Sequence, residues 1–355
     1  MSPPLRRKRS ARFTEIALEA NVSVSTVDRV LNERGSVSDG ARRRVIEAAR
    51  TLAIPRVLPE TRHGLVHIDI LVSDHGTPFV QRLEQAVRQA VALLPGHIVV
   101  HQQMIGLEDE DAFERAILAP PYARAGLVAL APRTPRILAA LAAAIGRGEA
   151  LSTMVNDLPE LPPHHFAGID NARAGRTAGY WLGRLARRRG SVLVLPGLRT
   201  VPAHEDRMRG CADALREFFP TMQVLVSPET REDPDLCYRY VSSALKGEMP
   251  GQRAPLVGVY DTAYGSTGIE PALRGAGMAG KVAWIGHEML DRHRQYLTER
   301  SLDMVIDQNP DGQVRSALQH VLFRCGLIDS APRPGLHAFE LFTLPNMRME
   351  PYLDP

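Results

Sequence analysis

From residue 64 onward the chain alternates short apolar runs with longer amphipathic stretches, the pattern of parallel strands joined by crossover helices. The runs LVHIDILVS (65–73), HIVVHQ (97–102), GLVALA (126–131) and LSTMV (151–155) predict four strands, with helical spacing near 80–94, 109–118 and 136–147 between them. A second series repeats the signal: strands over 191–195, 223–227, 256–260 and 282–285, helices near 174–187, 207–218, 235–246 and 267–276. Segment 339–349 predicts one more strand, returning to the second series. Two successive βα series predict two parallel-sheet lobes with right-handed crossovers.

The first sixty residues carry only helical spacing. Ile16, Ala17 and Ala20 mark one helix, and the Asn21-Val22-Ser23 break is short enough for a tight turn. In the next helix Val27, Val30 and Leu31 face inward, which leaves Val24, Ser25, Asp28 and Arg29 outward. Ser38 can cap a third helix, whose Ala41, Val45, Ala48, Ala49 and Leu52 form an apolar stripe beside Arg42-Arg43-Arg44. Taken blandly, this is a three-helix bundle with a solvated basic face.

The string VSVSTVDRVLN (22–32), the Val37-Ser38 pair that repeats Val22-Ser23, and the Arg-rich third helix resemble the headpiece of LacI/GalR-type transcription regulators. The resemblance implies that the second helix enters the major groove of double-stranded operator DNA. Val24, Ser25 and Arg29 fall at its base-contacting positions, and Ser23, Thr26 and Asn32 at its phosphate contacts. The chemistry agrees, since a guanidinium grips guanine through two hydrogen bonds while hydroxyls and amides suit phosphate oxygens. Asp28 stands where the family usually has Ser, and is expected to orient Arg29 or to accept from a cytosine amino group. The family continues into a short helix whose Leu wedges into the minor groove; here that segment reads IPRVLPETRH (54–63), with Leu58 as the matching residue and Pro59 compatible only with a first helical turn.

Charge follows the same division. Residues 1–62 hold thirteen Lys and Arg against seven Asp and Glu, a net of +6 in a chain whose total is +3, so the remainder is net −3. Arg6, Arg7, Lys8, Arg9 and Arg12 make a basic arm suited to phosphates, or to a solubilising tail. The expected organisation is an arm over 1–12, a helix-turn-helix headpiece over 13–53 and a hinge linker over 54–63. Behind them come an N-terminal lobe over 64–168 with 309–333 and a C-terminal lobe over 169–308 with 334–355. The two lobes resemble the type I periplasmic binding-protein fold, an α/β architecture, that LacI-type regulators carry behind the headpiece.

In such sheets a ligand lies beyond the carboxyl ends of the strands, between the lobes. His75 and Phe79 follow the first strand in SDHGTPF, Asp157 follows the fourth, and Arg207 opens a helix in HEDRMRG. Asp261 follows LVGVY, Glu288 lies in WIGHE and Gln308 in VIDQNP at a crossing between lobes. Carboxylates, a guanidinium, an amide and an aromatic face suit a sugar, sugar acid or polyol, whose hydroxyls donate and accept while its C–H face stacks on rings. Arg207 also stands beside Glu205 and Asp206, and Asp157 precedes Leu158-Pro159, so an ion pair and a turn are their plain alternatives. His75 stacks, donates or faces water, and Asp170-Asn171 caps the following helix or serves the site. Trp181 and Trp284 read as core.

At 355 residues with 44% apolar and 23% charged positions, the chain has the profile of a soluble protein of several domains. No window approaches eighteen consecutive apolar residues, and the basic N-terminus lacks the apolar run of a signal peptide, so the cytoplasm is the expected compartment and no membrane partner is expected. Cys211, Cys237 and Cys325 have no CxxC spacing, which points away from disulfides and zinc. No metal or cofactor is expected. An enzyme acting on carbohydrate is the second reading, because paired carboxylates near an arginine invite it, but no nucleophile elbow, phosphate loop or nicotinamide fingerprint accompanies them. A homodimer presenting two reading helices to a pseudo-palindrome completes the expectation.

Overall fold

A computed structural model describes residues 13–32, 34, 36–52, 54, 65–74, 76–186, 188–199, 201–333 and 335–348. The arm, Leu58 and His75 lie outside the described residues. Two compact units divide the chain: a helical one up to Val66 that includes Leu322–Asp329, and an α/β one of His67–Val321 and Ser330 onward.

In the small unit α1 (Phe13–Glu19), α2 (Val24–Leu31) and α3 (Asp39–Thr51) surround a core of Ile16, Ala17, Ala20, Val27, Val30, Leu31, Val45, Ile46, Ala48 and Ala49. Ser23 and Ser38 are the N-caps of α2 and α3, their hydroxyls accepting from Thr26 N and Ala41 N. Each satisfies an amide that the helix itself leaves unpaired. The arginine run departs from the expected basic face. Arg42 is buried, one helical turn before Val45 and Ile46, and Arg44 Nε donates to the carbonyl of Ala20 at 3.1 Å.

The large unit meets the expected class, with two parallel-dominated sheets. Its first sheet contains β1 (Val66–Asp74), β2 (Ile98–Gly106), β3 (Arg124–Leu130), β4 (Ala150–Met154) and β5 (His165–Ala167), in the order β2-β1-β3-β4-β5. Between them run α4 (Pro78–Ala92), α5 (Glu110–Leu118) and α6 (Pro135–Gly146). The second sheet contains β6 (Ser191–Leu195), β7 (Gln223–Val226), β8 (Leu256–Asp261), β9 (Ala283–His287), β10 (Met304–Asp307) and β11 (Glu340–Phe342), in the order β11-β10-β9-β8-β6-β7. β11 alone among these pairs antiparallel, and it is followed by a single 3-10 turn. The helices of this lobe are α7 (Asn171–Leu185), α8 (Pro202–Phe218), α9 (Pro234–Lys246), α10 (Ser266–Gly275) and α11 (Asp291–Thr298). After β10 the chain crosses back: α12 (Pro310–Arg324) packs on the first sheet, where Ser316 Oγ meets His165 Nε2 at 2.9 Å and Gly126 leaves room for Val321.

Buried on both faces, the central strands read as unbroken apolar runs, as in VLVL of β6, instead of alternating. Trp284 is fully buried in the second core, whereas Trp181 is 37% exposed beside Tyr180 and belongs to the surface, contrary to its expected core place. The three cysteines are buried thiols.

The packing of α7 on α8 sets the position of the site. A Cβ on Gly175 would lie 2.0 Å from the carbonyl oxygen of Arg207, and one on Gly210 would lie 2.1 Å from that of Ala172. Backbone meets backbone there, so no flexible side chain can give way. Gly175→Ala is therefore expected to push α8 outward at about 1–3 kcal/mol. A melting temperature lowered by a few degrees in a thermal scan is the expected result; an unchanged one would show that the helices have slack.

Candidate functional site

Two surfaces carry the candidate chemistry, one in each unit. On the headpiece, Val24, Ser25 and Arg29 are exposed on one side of α2, while Val27, Val30 and Leu31 hold its opposite side in the core. The hydroxyls of Ser23, Ser25 and Thr26 cluster, with Ser23 Oγ 2.8 Å from each of the other two. Asp28 is engaged within its own helix. Its Oδ1 accepts from Asn32 Nδ2 at 2.6 Å, so it locks the amide at the C-cap of α2 and leaves Arg29 outside that interaction.

In the large unit, the carboxyl ends of both sheets open into a cavity of about 480 Å³. The first sheet delivers Ser73 at the end of β1, Phe79 in the first turn of α4, and Asn156 beyond β4. Phe79 is aimed by a rigid start: Thr77 Oγ1 accepts from Val80 N, and Pro78 occupies the first helical position. Val155 adopts φ +66°, which turns the chain so that Asn156 is buried against the cavity while Asp157 is exposed and not among the lining residues.

The second sheet supplies the charged groups. Arg207 is 3% exposed; its Nε donates to Asn171 Oδ1 at 2.8 Å and its Nη1 to Thr262 O at 3.0 Å. Nη2 makes no hydrogen bond and lies 3.9 Å from Glu288 Oε1. That oxygen accepts from Gln308 Nε2 at 2.6 Å, while Glu288 Oε2 has no partner. Gln308 is placed by Gln313, whose Nε2 donates to Gln308 O at 2.8 Å and whose Oε1 accepts from Val155 N at 3.2 Å, so one buried amide ties both lobes beneath the cavity. Burial pushes the Glu288 carboxyl up to about 8, and neighbouring Asp307 adds to the rise against Arg207 and Gln308. Glu288 is thus mostly protonated near neutrality, and a ligand hydroxyl donated to it would favour its charged form.

Asp261 takes a different role from the one expected. It is buried but not among the lining residues, its two oxygens accepting from Ala263 N at 3.2 Å and Gly265 N at 2.7 Å. Burial still pushes it up to about 6, against those bonds and Arg207. Asp261 therefore shapes the turn that brings Ala263 and Tyr264 to the wall. Asp170 likewise serves as the N-cap of α7, accepting from Arg173 N, whereas Asn171 holds Arg207. The structure thus brings Phe79, Arg207, Glu288 and Gln308 together.

Sequence reasoning missed Ser73, Asn156, His204 and Glu232 as lining residues. His204 lies inside the HEDRMRG segment and Asn156 one position before the residue singled out. Glu232 follows β7 by six positions, in a loop with no strand-end signal. Ser73 Oγ and Asn156 Oδ1, like Arg207 Nη2 and Glu288 Oε2, are buried without a hydrogen-bond partner. Buried polar atoms are ordinarily paired, and these four, with His287 Nδ1 as a fifth among the lining residues, form a ready set for a ligand rich in hydroxyls.

Both regions of the chain match known families. The family model described as periplasmic binding protein domain matches residues 68–322, and that of bacterial regulatory proteins, lacI family, matches residues 13–53. An HTH-type transcriptional regulator in the aml 5'region of Streptomyces limosus is 30% identical over 215 residues, 59% of this chain and 59% of that protein. The ribose operon repressor of Halalkalibacterium halodurans is 37% identical over 91 residues, 24% of this chain and 27% of the repressor. The chain thus spans less than two thirds of the length of these curated relatives. Among solved structures, an ABC transporter periplasmic solute binding protein from Actinobacillus succinogenes with bound D-allose matches with a TM-score of 0.68 at 18% identity, over 79% of this chain and 98% of that one. At that identity the likeness shows the fold.

Proposed function

We propose, since the chain belongs to the periplasmic binding protein domain family over residues 68–322 and its residues 13–53 match the lacI family of bacterial regulatory proteins, that it is a sequence-specific DNA-binding transcription regulator, acting as a repressor, whose operator affinity is set by a small sugar, sugar acid or polyol. The observation that carries the effector half is the ring of unpaired buried atoms on Ser73, Asn156, Arg207 and Glu288, facing Phe79 across one cavity. The ribose operon repressor among its relatives, and the D-allose bound in a protein of the same fold, support a sugar. Arg207 donates, Asn156 and Glu288 accept, and the Phe79 ring takes an apolar sugar face.

In this reading Val24, Ser25 and Arg29 read base edges, and Ser23, Thr26 and Asn32 hold phosphates. Leu58 is the minor-groove wedge, His75 a further effector contact, and Asp157 and Asp261 act through the loops they terminate. A cytoplasmic homodimer places two headpieces on a pseudo-palindromic operator. Effector closes the two lobes, and the segment 54–63, which follows the headpiece in the chain, passes the change to α2. The protein binds its effector without turning it over. No helix among the described residues is long and apolar enough to cross a membrane.

The test starts from duplexes enriched by the protein from a randomised pool. At least one member of a panel of pentoses, hexoses and polyols is expected to change retention on the enriched duplex and to be recovered chemically unchanged. Retention indifferent to the entire panel would overturn the effector class.

A further inference from the structure

One buried carboxyl in the cavity wall has no part in the reading above. Glu232 lies on a backbone that is left-handed at two consecutive positions, Arg231 at φ +51° and Glu232 at φ +61°. L side chains rarely adopt that conformation, and where they do the surrounding structure holds it for a purpose. Here Thr230 supplies the hold: its N–H and its hydroxyl both donate to Pro196 O, at 2.8 and 2.9 Å, and its Oγ1 accepts from Glu232 N at 3.4 Å. The result is a carboxyl turned inward from an otherwise polar loop, with a side chain 11% exposed.

His204 Nδ1 accepts from Leu198 N at 3.2 Å, and its Nε2 lies 3.6 Å from Glu232 Oε1. Among the described lining residues, four glutamates (Glu108, Glu110, Glu232 and Glu288) stand against two arginines, Arg133 and Arg207. Arg133 is already paired with Glu160, and two of the arms of Arg207 are committed to Asn171 and Thr262. Glu288 is mostly protonated near neutrality and Glu108 is exposed, so it is the buried Glu232 carboxylate that a carboxylate or phosphate on the ligand would meet, and like charges away from water repel.

We propose that Glu232 is a specificity-determining residue of this cavity: it accepts a hydroxyl of an uncharged sugar or polyol and turns away the acidic and phosphorylated forms of the same compounds. The inference rests on the sugar-effector reading and narrows it by excluding sugar acids. Burial pushes Glu232 up to about 7, with Asp261 adding to the rise and Arg207 opposing it. Above that value the carboxylate is charged and rejects anions; below it the proton relieves the repulsion. Discrimination against anions is therefore strongest on the alkaline side.

The test is calorimetric titration of the full chain and of Glu232→Gln with neutral pentoses and hexoses, their uronates and their terminal phosphate monoesters, at about pH 8 and about pH 6. In the wild type the anions are expected to bind at least tenfold more weakly than their neutral parents at the higher pH, with the gap narrowing at the lower. In Glu232→Gln the gap is expected to shrink, and the pH dependence that remains is that of Glu288. An anion bound as tightly as its neutral parent at about pH 8, or a pH-independent gap in the wild type, would overturn the proposal and leave the sugar reading standing. Failure of every sugar, neutral or charged, to bind would overturn the sugar reading itself and this inference with it. The wild-type comparison decides independently of how the variant folds.

Discussion

Arg207→Met is expected to remove effector binding almost completely, with a loss of two or more orders of magnitude in affinity. Methionine keeps much of the volume and the straight stem, so the change isolates the guanidinium. Two of its nitrogens are fixed by Asn171 and Thr262, and the third is left open toward Glu288 at 3.9 Å, a gap that a ligand oxygen would bridge. Removing a buried charge that hydrogen-bonds the ligand costs on the order of 2–5 kcal/mol, about thirtyfold to several thousandfold. Glu288 suffers as well, because Arg207 is one of the groups that oppose its rise toward about 8, and without it the carboxyl stays protonated to higher pH. Calorimetric titration with the sugar found in the panel measures the loss, and a thermal scan shows whether the lobes remain folded. An affinity within threefold of wild type in a folded variant would remove Arg207 from the site.

Arg29→Ala is the counterpart on the headpiece. The side chain is exposed on α2, free of Asp28, whose carboxylate is occupied by Asn32. A bidentate contact to guanine is worth about 1–3 kcal/mol of discrimination, and a homodimer would use it twice, so selectivity should fall by about thirtyfold to tens of thousandfold. The informative measurement is a ratio: retention on the enriched duplex against a scrambled one of equal length and salt. Arg29 at a base edge predicts that affinity for the enriched duplex falls far more than affinity for the scrambled one. An equal loss on both would make Arg29 a phosphate contact, and no loss on either would take α2 off the DNA. Lysine at the same position should recover the scrambled affinity and little of the selectivity, because it lacks the planar fork.

Much of this molecule was legible because apolar spacing and packing agree. Val27, Val30 and Leu31 declared the inward face of α2, and VLVL at β6 or LVGVY at β8 could hardly be anything but strands buried on both sides. Shorter or more polar elements escaped. β5 is three residues, HFA, and β10 is four, MVID, read only as a crossing, while α11 is made of DRHRQYLT and carries little apolar signal. Arg42 shows the opposite failure: it shares a helical face with Val45, Ile46 and Ala49, but a guanidinium is not counted as core until it is seen there at 1% exposure.

The site was readable to within one residue, and the residue matters. Asp157 was singled out because it carries charge just past β4, whereas the left-handed turn at Val155 puts Asn156 against the cavity instead. Spacing does not announce a left-handed valine. Asp261 was found, but its two backbone partners convert it from a ligand contact into the support of a turn. Glu232 had no signal at all, since its inward aim comes from two strained backbone positions and from Thr230 reaching back to Pro196.

The claim on which the rest depends is that the cavity and the headpiece are energetically linked, and linkage is reciprocal: whatever factor the sugar imposes on operator affinity, the operator must impose on sugar affinity. The most direct measurement is therefore a sugar titration of the full chain, at fixed salt, with and without a saturating amount of the enriched duplex. A shift in sugar affinity on the order of 5- to 150-fold, equal to the shift in duplex affinity at saturating sugar, is the result expected. Identical sugar affinities in the two titrations would contradict the account.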